Sequence, residues 1–225
     1  MYISDTTDDS TLKNLDEAKI LVVSDSHFQK ENLYSAITRH GNECNALIFL
    51  GDGIEDLAEI MEEEFFLKET DRTIPENIFF VKGNGDSARL NLCFEGETIR
   101  EVTPVKTITV SGKKLMLTHG HTFEIFCLDY VQKNEENSKL TVINPPKFNF
   151  YTDTEVYFQY LKKNHIDGGF FGHTHVPFFK EQSGIFLINP GSISRPRKNS
   201  KKSYAVFTVK KHSPSLTLEF FTLDS

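Results

Sequence analysis

Five short apolar segments of this chain each run directly into a residue whose side chain can bind a metal ion. The first segment is Ile20–Val23, which is followed by Ser24-Asp25-Ser26-His27. An uninterrupted apolar run of this length is typical of a strand buried on both faces, as in a parallel sheet. Residues two apart in an extended chain point to the same side, so Asp25 and His27 can reach one ion.

The other four segments end in the same way. They run into Gly51-Asp52, Gly83-Asn84-Gly85-Asp86, His119-Gly120-His121 and Gly172-His173-Thr174-His175. In open α/β sheets, ligand sites lie at the carboxyl ends of the strands. We therefore expect all five ends to converge on one rim and to form a single site there.

The order of predicted elements indicates an α/β fold. Helical spacing of apolar residues predicts helices over 30–40, 56–68 and 155–164. In the first half these helices alternate with strands, which favours a parallel sheet. The second half predicts three hairpins, which pair 106–110 with 114–117, 178–180 with 185–188, and 204–209 with 216–221. This order predicts two packed mixed sheets with helices outside.

Composition limits the classes of partner. The chain has 225 residues with 25 Lys+Arg against 32 Asp+Glu, a net charge of −7, which disfavours binding to nucleic acid or to an anionic membrane. No apolar stretch is long enough to span a bilayer, and the acidic N-terminus does not read as a signal peptide. The three cysteines form no CxxC pair, which argues against disulfides or a zinc–thiolate site. We expect a soluble, cytoplasmic protein.

The chain suits one domain with two unusual segments. Residues 1–18 are polar and predict a mobile or loosely docked extension, and 19–225 would form the domain. The segment 122–154 is rich in aromatic residues and too long for an ordinary loop. It predicts an insertion, either a lid over the site or a contact in a homo-oligomer.

Seven side chains at the strand ends are candidate metal ligands: Asp25, His27, Asp52, Asn84, His119, His173 and His175. Mixed imidazole and oxygen ligands suit Mn²⁺, Fe, Zn²⁺ or Ni²⁺ and disfavour Ca²⁺. Seven ligands are too many for one tetrahedral ion, but they suit two ions about 3.5–4 Å apart that share one carboxylate. Such a pair lowers the pKa of a bridging water toward about 7 and yields a hydroxide nucleophile.

The ordered motifs D-x-H, G-D, G-N-x-D, H-G-H and G-H-T-H closely resemble those of the calcineurin-like metallophosphoesterases, and in particular the small YfcE-type phosphodiesterase branch. The resemblance implies a four-layer α/β/β/α sandwich that hydrolyses small phosphate esters, with Mn²⁺ as the first choice and Ni²⁺, Zn²⁺, Fe or Mg²⁺ as alternatives. It assigns one ion to Asp25, His27, Asp52 and His175, and a second to Asp52, Asn84, His119 and His173. Asp52 would bridge the two ions, and Asp52, Asn84 and His119 would be catalytic.

One position departs from the family pattern. Many members carry a histidine, and small relatives often a cysteine, where this chain has Gly85. A general acid at this point contributes about 10²–10⁴-fold, so its absence predicts modest rates and a need for good leaving groups. Asp86 and His121 are the candidates to replace it or to contact substrate.

Other functions stay open at this point. The same fold resembles the retromer scaffold subunit, and a scaffold is the main alternative to an enzyme, although all seven ligand-type residues are present. A nuclease of the same superfamily is disfavoured by the net charge. The basic cluster Arg195, Arg197, Lys198, Lys201 and Lys202 is either a solvated loop or a guide for an anionic substrate. Asn189-Pro190-Gly191-Ser192 is either a structural turn or a loop that approaches the site.

Overall fold

The computed structural model describes residues 2–3, 10–87, 92–94, 97–99, 102–131, 139–146, 150–213 and 215–223. The strands in these ranges are β1 (Tyr2–Ile3), β2 (Glu17–Val23), β3 (Ala46–Phe49), β4 (Asn77–Phe80), β5 (Leu92–Phe94), β6 (Glu97–Ile99), β7 (Val105–Val110), β8 (Lys113–Thr118), β9 (Cys127–Val131), β10 (Leu140–Ile143), β11 (Phe150–Thr152), β12 (Gly168–Phe170), β13 (Phe178–Gln182), β14 (Ile185–Asn189), β15 (Ser203–Lys210) and β16 (Leu216–Thr222). The α-helices are α1 (Ser10–Lys13), α2 (Lys30–His40), α3 (Ile54–Phe65) and α4 (Glu155–Lys163).

Two mixed sheets dominate the described part of the chain. The first has the strand order β1-β4-β3-β2-β15-β16-β10, and the second has the order β13-β14-β12-β8-β7. In the first sheet, β2 pairs in parallel with β3 and antiparallel with β15. In the second sheet, β12 lies between β8 and β14 and is parallel to both. The strands that carry the ligand-type residues therefore lie in the middle of the sheets.

Alternating side chains of β2 build two different cores. Ile20 and Val22 pack into the apolar layer between the sheets, together with residues of the second sheet such as Phe170. Leu21 and Val23 face the other way, into the core that α2 and α3 cover. All four β2 side chains are fully buried, as the continuous apolar run predicts.

Helix α4 covers the outer face of the second sheet. Its buried residues Tyr157, Phe158 and Leu161 pack on Met116 and Phe171. The order of layers is therefore helices, sheet, sheet, helix. This arrangement confirms the predicted four-layer α/β/β/α sandwich.

The three predicted hairpins are all present, as the pairs β7–β8, β13–β14 and β15–β16. Helix α2 has the predicted bounds, but α3 begins at Ile54 and ends at Phe65 rather than spanning 56–68. The earlier start has a physical cause, since the carboxylate of Asp86 accepts hydrogen bonds from the first N–H groups of α3.

The described part of the N-terminal segment, which was predicted to be mobile or loosely docked, packs against the sandwich. Leu12 is 1% exposed and belongs to the core between the sheets. Its carbonyl oxygen accepts a hydrogen bond from the N–H of Ser111 at 3.0 Å. Tyr2–Ile3 pairs in parallel with β4. Residues 10–18 thus dock on the sandwich because Leu12 and Ala18 have apolar surface to bury.

The predicted insertion at 122–154 also differs in part from the structure. Its strand β10 pairs in parallel with β16 and extends the edge of the first sheet. A lid over the site stays a prediction for the rest of the segment. Strands β9 and β11 form a separate antiparallel pair. Residues 132–138 and 147–149 lie outside the described residues, and an oligomer contact stays a prediction.

The described residues bear on two predictions from composition, which concern cysteines and membrane-spanning segments. Cys44 is a buried free thiol. None of the helices in the described ranges is both long and apolar enough to cross a membrane.

Candidate metal centre

Backbone hydrogen bonds join the ends of the central strands. The N–H groups of Asp25 and His27 donate to the carbonyl oxygens of Gly51 and Asp52, each at 3.0 Å, and so join the loops after β2 and β3. In the second sheet, the N–H of Gly172 donates to the carbonyl of His119 at 2.9 Å. The ends of these strands therefore lie together, as the sequence predicts.

Most ligand-type residues are presented from an unusual backbone conformation. Positive φ angles between 45° and 68° occur at Asp25, His27, Asp52, His173 and His175. Asp, Asn and His enter this left-handed region more readily than other side chains, yet each instance costs on the order of 1–3 kcal/mol. Such strain clusters at functional sites, where the surrounding structure holds it in place.

One half of the site is a compact group of four side chains. One ligand atom from each of Asp25, His27, Asp52 and His175 lies within 4.8 Å of the others. His175 Nε2 is 3.2 Å from Asp25 Oδ1 and 3.1 Å from His27 Nε2. Two carboxylates and two imidazoles at this spacing could hold one cation.

The other half of the site lies around His119. Its Nε2 is 3.3 Å from Asp52 Oδ2 and 3.8 Å from Asp25 Oδ1. The ring of His173 lies 5.2 Å from the ring of His119, centroid to centroid, and its backbone N–H donates to Asp25 Oδ2 at 3.2 Å. Asp52 therefore contacts both halves, as a bridging carboxylate must.

Backbone carbonyls fix the orientation of two histidines. Nδ1 of His119 donates to the carbonyl of Leu50 at 2.7 Å, and Nδ1 of His175 donates to the carbonyl of Arg195 at 2.6 Å. A carbonyl oxygen only accepts, so Nδ1 must carry the hydrogen in both rings. In the neutral rings, each Nε2 then directs its lone pair at the carboxylates, as metal-binding histidines do.

The nitrogen and oxygen donor atoms of this site fit divalent metal ions. Asp25 Oδ1 and His119 Nε2 are buried atoms without a hydrogen-bond partner among the described residues. An Asp oxygen and an imidazole lone pair cannot bond to each other without a cation or a proton. The donors are nitrogen and oxygen with no sulfur, which suits Mn²⁺, Fe, Zn²⁺ or Ni²⁺.

The charges of the site shift the pKa values of its groups. Burial alone would lower the pKa of His119, but the charges of Asp25 and Asp52 outweigh it and raise this pKa to about 9. Burial would likewise raise the pKa of Asp52, yet the positive charge of the nearby His119 holds it below the ordinary value. Burial and the charge of His119 lower the pKa of His173 to about 4. A proton and a metal ion therefore compete for His119, whereas His173 is neutral at pH 7.

Asn84 and Gly85 lie in the loop that follows β4. The N–H of Gly85 donates to Asp52 Oδ1 at 2.6 Å, and the side chain of Asn84 is exposed next to this contact. The structure thus places Asn84 at the rim beside Asp52, and its role as a ligand stays a prediction. Gly85 is exposed and offers no side chain that could protonate a leaving group.

The position of Asp86 differs from the prediction that this residue contacts substrate or supplies a proton. It is 6% exposed, and its Oδ1 accepts hydrogen bonds from the N–H groups of Gly53 and Ile54 at 2.7 and 3.0 Å. Its Oδ2 accepts from the N–H groups of Asp52 and Gly83 at 2.9 and 2.8 Å. Both oxygens are thus used to hold the backbone of the two ligand loops together.

His121 lies beside the second half of the site, as the sequence suggests. Its ring centroid is 5.6 Å from that of His119 and 6.1 Å from that of His173. Its Nδ1 is buried and has no hydrogen-bond partner among the described residues. Contact with substrate stays a prediction for this residue.

The loop after β14 contributes supports that the sequence left open. Ser192 Oγ donates to the carbonyl of Asp25 at 2.9 Å and accepts from the N–H of Arg195 at 2.7 Å. Asn189 Nδ2 donates to the carbonyl of Gly172 at 2.8 Å. The segment 189–192 is therefore a turn that also holds the ligand loops, which combines the two alternatives.

Comparisons with known proteins give one family. A model described as the calcineurin-like phosphoesterase superfamily domain matches residues 18–212. The probable metallophosphoesterase YsnB of Bacillus subtilis strain 168 is 28% identical over 202 residues, which cover 90% of this chain and 89% of YsnB. The phosphodiesterase YfcE of Escherichia coli K12 is 25% identical over 133 residues, which cover 59% of this chain and 53% of YfcE.

A solved structure supports the fold. Vacuolar protein sorting 29 from Cryptosporidium parvum matches with a TM-score of 0.59 at 14% identity, and the match covers 91% of this chain and 97% of that chain. At this identity the likeness shows a shared fold and nothing further.

Proposed function

The chain belongs to the calcineurin-like phosphoesterase superfamily, and from this premise we propose that it is a metal-dependent phosphodiesterase that acts on small phosphate esters. The name of YfcE supports the choice of a diester. The observation that carries the proposal is the burial of Asp25 Oδ1 and His119 Nε2, which lie 3.8 Å apart and have no hydrogen-bond partner among the described residues.

We assign one ion to Asp25, His27, Asp52 and His175. We assign the second to Asp52, Asn84, His119 and His173. Mn²⁺ is the first choice, because the donor set is mixed nitrogen and oxygen. Two divalent ions, when bound, lower the pKa of water and draw charge off the phosphoryl oxygens.

The residues of the chain contribute orientation and charge. The carbonyls of Leu50 and Arg195 hold the rings of His119 and His175 with Nε2 toward the site. Asn84 is a neutral ligand, so it adds no negative charge where an anionic substrate must approach. Gly85 offers the departing alkoxide no proton, so turnover should favour esters whose alcohol is a good leaving group.

The test is hydrolysis of bis-p-nitrophenyl phosphate and p-nitrophenyl phosphate by chelator-treated protein after Mn²⁺, Ni²⁺, Zn²⁺ or Mg²⁺ is added back. We expect turnover to return with metal, to be faster with the diester, and to be absent in Asp52→Asn. A variant with a remote exposed carboxylate, Asp71→Asn, should keep the wild-type rate. Restored turnover in Asp52→Asn would show that the site is assigned wrongly.

A scaffold is the second candidate function. The fold shared with vacuolar protein sorting 29 and the absence of a side chain at Gly85 support it. Tight Mn²⁺ binding without turnover of either ester would favour this alternative over the enzyme.

A further inference from the structure

The basic loop after β14 brings the backbone of one of its arginines to the metal centre. The carbonyl of Arg195 accepts the hydrogen bond from His175 Nδ1 at 2.6 Å, and its N–H donates to Ser192 Oγ at 2.7 Å. Ser192 in turn donates to the carbonyl of Asp25 at 2.9 Å. The backbone of Arg195 is therefore fixed against the residues assigned to the first ion.

The side chain of Arg195 is exposed, and no carboxylate pairs with it in the described part of the chain. Other cations of this chain do have acidic partners. Lys19 pairs with Glu43, Lys30 with Glu59 and Glu63, Lys113 with Asp167, and Lys210 with Glu17. The guanidinium of Arg195 is thus available for an anion from solution.

The backbone of Arg195 lies one imidazole ring away from the carboxylates of the site. His175 donates from Nδ1 to the carbonyl of Arg195 at 2.6 Å, and the Nε2 of the same ring is 3.2 Å from Asp25 Oδ1. With two divalent ions against the carboxylates of Asp25 and Asp52, the centre itself would carry a net charge of about +2, which repels a guanidinium unless an anion lies between them. An arginine in this position therefore suits a negatively charged ligand.

We propose that Arg195 is a specificity-determining residue, which binds a carboxylate or phosphate group carried on the alcohol part of the ester substrate. The proposal rests on the proposed function for the location of the reacting phosphoryl group. Arginine suits this task because its planar guanidinium forms two parallel hydrogen bonds to such groups. The preferred substrate is then a phosphate ester with a second anionic group, rather than one with an uncharged alcohol.

The test compares two ligands that cannot be hydrolysed, phenylphosphonate and 4-carboxyphenylphosphonate, by titration calorimetry with Mn²⁺-loaded protein. We expect the added carboxylate to tighten binding about three- to tenfold in the wild type, as for a charge-assisted pair that is partly exposed. Arg195→Gln should abolish this preference, and Arg195→Lys should keep part of it. Lys201→Gln, which removes an exposed charge from the same loop, should keep all of it.

Three results would overturn the inference: no preference in the wild type, a preserved preference in Arg195→Gln, or an equal loss in Lys201→Gln, which would indicate net charge alone. Hydrolysis of bis-p-nitrophenyl phosphate separates this inference from the proposed function. Turnover without the binding preference overturns the role of Arg195 only. The binding preference without turnover supports Arg195 as an anion-binding residue and counts against the enzyme.

Discussion

At the scale of single residues, Asp86 shows how a carboxylate in a ligand motif can serve the backbone instead of the substrate. Its two oxygens accept four N–H groups from the loops after β3 and β4. Without them, the loops that carry Asp52 and Asn84 would have buried donors and no partner. The motif G-N-x-D therefore holds one residue at the rim of the site and one that holds the loop.

We predict that Asp86→Asn destabilises the protein by about 2–4 kcal/mol, because an amide nitrogen would face N–H donors and leave buried groups unpaired. The measurement is urea-induced unfolding, with Asp71→Asn as the control, since Asp71 is exposed. Equal free energies of unfolding for the two variants would contradict this role of Asp86.

The raised pKa of His119 predicts that the stability of the protein after treatment with chelator depends on pH. Its pKa in the folded chain is about 9, above the ordinary value of 6.5. A raised pKa means that the folded state binds the proton more tightly than the unfolded state. This stabilisation is fully present below pH 6.5 and is lost as the pH rises through 9.

The free energy of unfolding of chelator-treated protein should therefore fall between pH 6.5 and pH 9. His119→Gln should show a smaller fall, and His165→Gln, which alters an exposed histidine, should behave as the wild type does. Cys44 and other groups that titrate in this range affect all three proteins alike. An identical slope in His119→Gln would refute the assignment.

At the scale of elements, the loop between β14 and β15 acts on the metal centre without supplying a ligand. Ser192 holds both the carbonyl of Asp25 and the N–H of Arg195, and Arg195 orients His175. We predict that Ser192→Ala weakens Mn²⁺ binding about tenfold, as changes to residues that orient metal ligands commonly do. Calorimetric titration of Mn²⁺ measures it, and Ser35→Ala on helix α2 should bind as the wild type does.

The elements also differ in how far the sequence alone could predict them. Strand β2 was predictable because four consecutive apolar residues admit few other structures, and the hairpins because each has a short turn between alternating strands. Strand β10 was not, since its parallel partner β16 lies about 75 residues further along the chain. A pairing of that kind leaves no local pattern.

The residues of the site also differ in how far the sequence alone could predict them. The strand ends that carry Asp25, Asp52 and His175 were predictable, because the ligand type directly follows each apolar run. The contacts of Asp86 and Ser192 were not, since each joins loops that are distant in sequence. The burial of Leu12 was missed for a related reason, because one apolar residue in a polar segment forms no periodic pattern.

At the scale of the whole molecule, the two sheets are held together by an aromatic cluster. The ring of Phe207 on β15 lies 5.3 Å from that of Phe170 and 5.2 Å from that of Phe186, both on the second sheet. Because the candidate metal centre takes residues from both sheets, the packing of this layer also sets its geometry.

We predict that Phe207→Ala lowers the free energy of unfolding by about 3–5 kcal/mol, the usual cost of removing a buried phenylalanine. Phe66→Ala should change it by less than about 0.5 kcal/mol, since Phe66 is 78% exposed. Urea-induced unfolding of both variants gives the comparison, and similar values for the two would show that the layer between the sheets contributes little.

The pairing of β2 with β15 has a consequence for synthesis of the chain. Ala205 lies opposite Val22 in this pair, so β2 is synthesised about 180 residues before the strand that covers one of its edges. Until then, one edge of β2 stays open, and such edges recruit strands from other chains. During translation the protein should therefore depend on chaperones until β15 emerges, and the metal centre, which needs Arg195 to orient His175, should form only after Arg195 has been added to the chain.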